Sequence, residues 1–177
     1  MKRRAHYAGC GCLQGLSRRS VLGLGLGAIA VQASSAFAAG GKYEEMLMAC
    51  IDPRLTTFDW TYMTSRGLQD RYSQFNIAGG PIAAVAPVIA DWRKVCWDNL
   101  EITVKLHEIK DVVGLVHRDC GAAAVAYGDQ IKTDRTLETA RLTEALKAFR
   151  GEVQQRYPKL GIRLGIMDLN GAVEAVA

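Results

Sequence analysis

Residues 112–121 read VVGLVHRDCG. An apolar run, VVGLV, is followed at once by His117, Arg118, Asp119, Cys120 and Gly121. A short run of this composition predicts a buried strand. In an open parallel sheet, ligands gather just beyond the carboxyl ends of the strands, which is where His117 and Cys120 would lie. Their spacing suits a strand-to-helix turn in which both side chains face a common centre. A helix beginning near Cys120 would set its positive end against a thiolate there.

A second stretch has the same form. MLMAC (46–50) is another short apolar run, and it leads into ACIDPRL (49–55). Strand alternation would place Cys50, Asp52 and Arg54 on one face. Burying a thiol, an acid and a base together is costly unless they serve each other or a metal. If the two strands are neighbours, Cys50, His117 and Cys120 converge. Two thiolates and one imidazole make a zinc set of the kind found in some catalytic sites, with a fourth position left for water or a carboxylate.

The remaining pattern alternates strands with helices. Residues 72–77 predict a strand, followed by Ala78-Gly79-Gly80-Pro81, with proline placed to open a helix. Residues 90–106 read as an amphipathic helix with Val95, Leu100, Ile102 and Leu106 on its apolar side. Asp134 caps a helix running to about Tyr157, its apolar face formed by Leu137, Ala140, Ala145, Phe149, Val153 and Tyr157. Residues 162–167 and 173–176 flank Asn170-Gly171, a hairpin signal. The expected fold is α/β: a single domain with a mainly parallel sheet flanked by helices.

The chain has 177 residues, 49% hydrophobic and 23% charged, enough for one domain with a core. Its net charge of +4 comes from the start of the chain. Five of the 22 basic residues and none of the 18 acidic ones precede Ala39, leaving 17 against 18, a net charge of −1. Such a body gives no electrostatic reason for a nucleic-acid partner. Residues 1–38 have the parts of an export signal in order: Arg18-Arg19, an apolar stretch at 21–31, and Ala36-Phe37-Ala38 as a cleavage site. The twin arginines point to the route that exports folded proteins, and so to a periplasmic or secreted domain spanning 39–177. The apolar stretch is shorter than the ~20 residues that span a bilayer, so no stable membrane insertion is expected after cleavage. The exported part keeps Cys50, Cys96 and Cys120, an odd number that makes a poor disulfide framework.

Together, the Cys-x-Asp-x-Arg and His-x-x-Cys-Gly motifs resemble the β-class carbonic anhydrases, which pair these two segments in this order. The similarity extends to Asn76-Ile77-Ala78-Gly79, which resembles the family's Arg-Asn-Ala-Gly loop, although Phe75 stands where arginine is usual. The segment ahead of Cys50 is shorter than the helical arm of many members. The resemblance implies Zn²⁺ held by Cys50, His117 and Cys120, and reversible hydration of CO₂ to bicarbonate by zinc-bound hydroxide. Asp52 and Arg54 form a catalytic dyad in this reading, with Asp52 able to leave Arg54 and become a fourth metal ligand. It also implies a homodimer or higher homo-oligomer.

Three alternatives stay open at this point: the same zinc chemistry acting on carbonyl sulfide or carbon disulfide, a non-catalytic zinc module closed by Asp52, and a thiol-disulfide protein using Cys50 and Cys120. Arg118, Asp119, His107 and Cys96 read as structural or surface residues, and Phe58, Trp60 and Tyr62 as packing.

Overall fold

The computed structural model describes residues 42–177; the expected export signal at 1–38 lies outside them. Five strands form one sheet: β1 (Glu45–Ala49), β2 (Tyr72–Asn76), β3 (Asp111–His117), β4 (Gly161–Met167) and β5 (Val173–Ala175), in the order β2-β1-β3-β4-β5. The first four are parallel, and β5 returns antiparallel to β4. The helices are α1 (Thr56–Ser65), α2 (Pro81–Val85), α3 (Arg93–His107), α4 (Gly121–Tyr127) and α5 (Arg135–Arg156). This is the α/β architecture expected, a mainly parallel sheet with helices on both faces.

The apolar runs become central strands because both of their faces are covered. Met46, Met48, Val112, Val116, Leu164 and Ile166 pack with α2, α3, α4 and α5 on one side. Leu47, Ala49, Val113, Leu115 and Met167 pack with Leu55, Met63 and Leu68, on and around α1, on the other. Strand order reverses at β1. The chain passes from β1 to β2 on one flank and then to β3 on the opposite flank, so the crevice beyond the carboxyl ends of β1 and β3 is the topological switch point.

Of the two long helices, α3 buries another face than its apolar residues predict, and α5 buries the face expected except at Ala140. In α3, Val95, Ile102 and Leu106 are 48%, 55% and 53% exposed, and the buried line is Cys96, Leu100 and Thr103. The helix begins at Arg93 because Pro87–Trp92 forms a separate 3-10 segment. In α5, Asp134 is the cap expected, its Oδ1 accepting from the Leu137 N–H at 2.9 Å. The buried stripe there is Glu138, Leu142, Ala145, Leu146, Phe149 and Val153, while Ala140 is exposed. His107, half-buried, lies with Nδ1 2.6 Å from Ser73 Oγ and its ring against Tyr43, tying the end of α3 to β2. No helix among the described residues is long and apolar enough to cross a membrane.

Candidate metal centre

β1 ends at Ala49 and β3 at His117, so adjacent parallel strands release Cys50 and His117 at the same edge of the sheet. The turn after β3 carries Cys120 to the cap position of α4. One donor atom from each of Cys50, His117 and Cys120 lies within 4.8 Å of the other two, and all three residues are buried. None of the three described cysteines forms a disulfide.

The polar contacts around this trio leave its donor atoms free to face inward. His117 Nδ1 is 2.8 Å from the Arg118 carbonyl oxygen, which fixes the ring with Nδ1 as donor and Nε2 as the lone-pair nitrogen. That Nε2 is buried and has no hydrogen-bond partner. Cys50 Sγ accepts the Gly79 N–H at 3.2 Å, a contact suited to a thiolate. Gly79 and Gly80 have φ of +81° and +55°, and a Cβ on Gly80 would stand 2.9 Å from backbone atoms of Ala49 and Leu115. The loop therefore approaches β1 and β3 so closely that only glycine fits at position 80.

Charge is shared unevenly between the thiols. The hydrogen bond with Cys120 pulls the Cys50 pKa well down, helped by His117 and by the Gly79 and Asp52 N–H groups against the effect of burial. The same bond pushes Cys120 up, together with burial and the Cys50 charge. The two thiols thus differ in acidity, and Cys50 is the one that ionises more readily. Burial pushes the His117 pKa down, but the nearby Cys50 sulfur and its charge outweigh it, and the net shift is upward. Two buried sulfurs and an unpartnered imidazole nitrogen around one point fit a soft divalent ion such as zinc.

Asp52 and Arg54 meet at the rim, though not by strand alternation. Pro53–Leu55 is a 3-10 turn capped by Asp52, whose Oδ1 accepts the Arg54 N–H at 3.0 Å. The Arg54 side chain closes back on the same carboxylate, Nη2 to Oδ2 at 2.7 Å and Nε to Oδ1 at 3.0 Å. These contacts hold the Asp52 pKa down at about 2. Asp52 Oδ2 is 4.0 Å from His117 Nε2, beside the trio but engaged by arginine.

Three further polar residues lie near the site: Arg118 and Asp119, read from sequence as structural or surface residues, and Asp59, which the sequence reading passed over. Arg118 is 5% exposed and donates to Glu138, Thr139 and Glu174. Asp119 is exposed but bonded to Arg54. Asp59, on the inward side of α1, is 1% exposed, and neither carboxylate oxygen has a partner. Burial pushes its pKa up to about 6, with the His117 charge pulling down and the Cys50 charge pushing up. Its spacing of four from both Leu55 and Met63 is the one sequence signal that it faces inward.

No family model matches the sequence. An uncharacterized protein of Rickettsia conorii is 30% identical over 131 residues, 74% of this chain and 70% of that one. A carbonic anhydrase from Glaciozyma antarctica shares the fold with a TM-score of 0.54 at 16% identity, over 81% of this chain and 87% of that one. The wild-type β-carbonic anhydrase CafD of Aspergillus fumigatus gives a TM-score of 0.50 at 13% identity, over 76% of this chain and 90% of that one. The chain belongs to the same family as the rickettsial protein and has the fold of the β-carbonic anhydrases.

Proposed function

We propose that this chain is a zinc-dependent carbonic anhydrase, hydrating CO₂ reversibly to bicarbonate and a proton. The observation that carries the reading is the convergence of Cys50, His117 and Cys120 within 4.8 Å at the switch point of a β-carbonic-anhydrase fold. These three residues would hold the ion. Zinc in a set of this kind supplies Lewis acidity, bringing the pKa of water toward ~7.

The chain's own groups supply the rest. Asp52, kept ionised by Arg54, accepts a hydrogen bond from the reacting water and orients it toward CO₂. The Gly79 N–H stabilises the Cys50 thiolate, and the Arg118 carbonyl holds the His117 ring in one tautomer. With both Asp52 oxygens taken by Arg54, the arrangement favours an open site over one closed by that carboxylate. Export through the twin-arginine route and assembly as a homodimer or higher oligomer belong to the same reading. The exposed Val95, Ile102 and Leu106 on α3 support a partner surface.

The test uses purified protein with its zinc content measured. Wild type is expected to carry one zinc per chain, to hydrate CO₂ and to scatter light as two or more chains. Cys50→Ser and His117→Ala should lose zinc and turnover together, and Asp52→Ala should keep zinc but turn over poorly. Fully zinc-loaded wild type that hydrates no CO₂ at any pH would end the enzymatic reading.

A further inference from the structure

Arg54 is held from two sides. Its Nε and Nη2 donate to Asp52, while Nη1 donates to Asp119 Oδ2 at 2.8 Å and Nη2 to the Asp119 carbonyl at 3.1 Å. The two carboxylates bind different N–H groups of one planar fork, so neither displaces the other. Asp119 lies 65 residues away in sequence, in the turn that also delivers His117 and Cys120.

That turn has its own support. Asp119 has φ of +55°, left-handed backbone that is uncommon for a residue with a Cβ. Its N–H donates to Glu138 Oε1 at 2.7 Å. Glu138 is 4% exposed, and its other oxygen accepts from Arg118 at 3.2 Å and from Arg135 at 3.4 Å. Arg118 continues to Thr139 at 2.6 Å and Glu174 at 3.2 Å. A buried ion pair rooted in α5 and β5 thus fixes the backbone from which Asp119 reaches Arg54.

We propose that Asp119 is a positioning residue: it anchors Arg54 so that Arg54 retains Asp52 and keeps that carboxylate off the metal. The proposal rests on the reading of Cys50, His117 and Cys120 as metal ligands. With its Oδ2 4.0 Å from His117 Nε2, Asp52 has two partners within reach, Arg54 or a bound cation. Which one it takes depends on how firmly the guanidinium is held. Arg54 is 45% exposed, so the pairing with Asp52 alone would have to offset the ordering entropy of the long side chain. Anchoring by Asp119 and its carbonyl orders the fork in advance and tips Asp52 toward Arg54.

The experiment uses the Co²⁺-substituted full chain and sodium azide as a probe of the open coordination position, read from the visible spectrum. Asp119→Asn is the chosen variant because asparagine tolerates left-handed backbone and removes only the charge. Wild type is expected to bind one Co²⁺ per chain and to bind azide. Asp119→Asn should bind the same Co²⁺ but weaken azide affinity by about fivefold or more, as Asp52 takes the position. Asp52→Asn added to Asp119→Asn should restore wild-type affinity, which general damage to the site would not allow.

Unchanged or tighter azide binding in Asp119→Asn overturns the proposal, as does a loss that Asp52→Asn leaves uncorrected. CO₂ turnover does not enter this measurement. A chain that binds Co²⁺ and azide as described yet hydrates no CO₂ removes the enzymatic reading and leaves the anchor intact. A chain that takes up no Co²⁺ removes both.

Discussion

At the scale of single residues, the least expected group is Asp59, a carboxylate with no partner in a space lined mainly by apolar side chains. Burial raises its folded pKa to about 6, above an unfolded value near 3.8. Between these values the native state binds more protons than the unfolded one, so stability falls as pH rises across the window. The group costs least below about pH 4, and its full penalty, about 3 kcal/mol for a rise of this size, applies above about pH 6. Asp59→Asn, neutral at every pH, should match wild type near pH 4 and exceed it above pH 7 by up to about 3 kcal/mol, read from urea midpoints. A variant less stable than wild type at pH 8 would instead mean that Asp59 carries a favourable charge in the native protein. The contrast with Cys50, Asp52, His117 and Cys120 explains what a sequence reveals at this scale. Those four stand at strand ends in short motifs whose spacing already implies a shared centre, whereas Asp59 is defined by what α1 covers.

At the scale of elements, β1 and β3 were legible because a strand buried on both faces needs an uninterrupted apolar run, and no other short element does so as directly. The α5 cap was legible because Asp134 acts within its own turn. The buried side of α3 was not. Its sequence offers two stripes, and the larger apolar residues Val95, Ile102 and Leu106 occupy the outer one, while Cys96, Leu100 and Thr103 meet the core. Periodicity reports that a helix has faces, and only the neighbours decide which one is covered. The Arg118–Glu138 pair was hidden for a related reason: its partners are 20 residues apart and meet only once α5 lies against the end of β3. The loop between β2 and α2 permits a sharper test. A Cβ at position 80 would meet backbone rather than a movable side chain, at a φ that L-residues seldom adopt. Gly80→Ala should cost about 3 kcal/mol in urea unfolding and weaken zinc binding, since the displaced loop carries the Gly79 N–H that faces Cys50. Wild-type zinc affinity in a destabilised Gly80→Ala protein would separate the loop from the site.

At the scale of the whole molecule, the three donor groups join β1 to β3 and to the turn before α4, so an ion held there acts on the stability of the entire sheet. A ligand that binds only the native state stabilises it by an amount that grows with the logarithm of its free concentration, about 1.4 kcal/mol per tenfold once sites are filled. The unfolding free energy of wild type should therefore rise linearly with log free zinc, while Cys50→Ser stays flat. The direction of the pH effect follows from the thiols. The contact with Cys50, burial and the Cys50 charge push the Cys120 pKa up, and zinc takes a cysteine sulfur as the thiolate. Binding thus releases a proton, and the zinc-dependent part of the stability should be larger at pH 8 than at pH 6. Equal gains at both pH values would mean that no thiol proton leaves when the ion binds. Equal gains in wild type and Cys50→Ser would place the stabilising ion elsewhere on the protein.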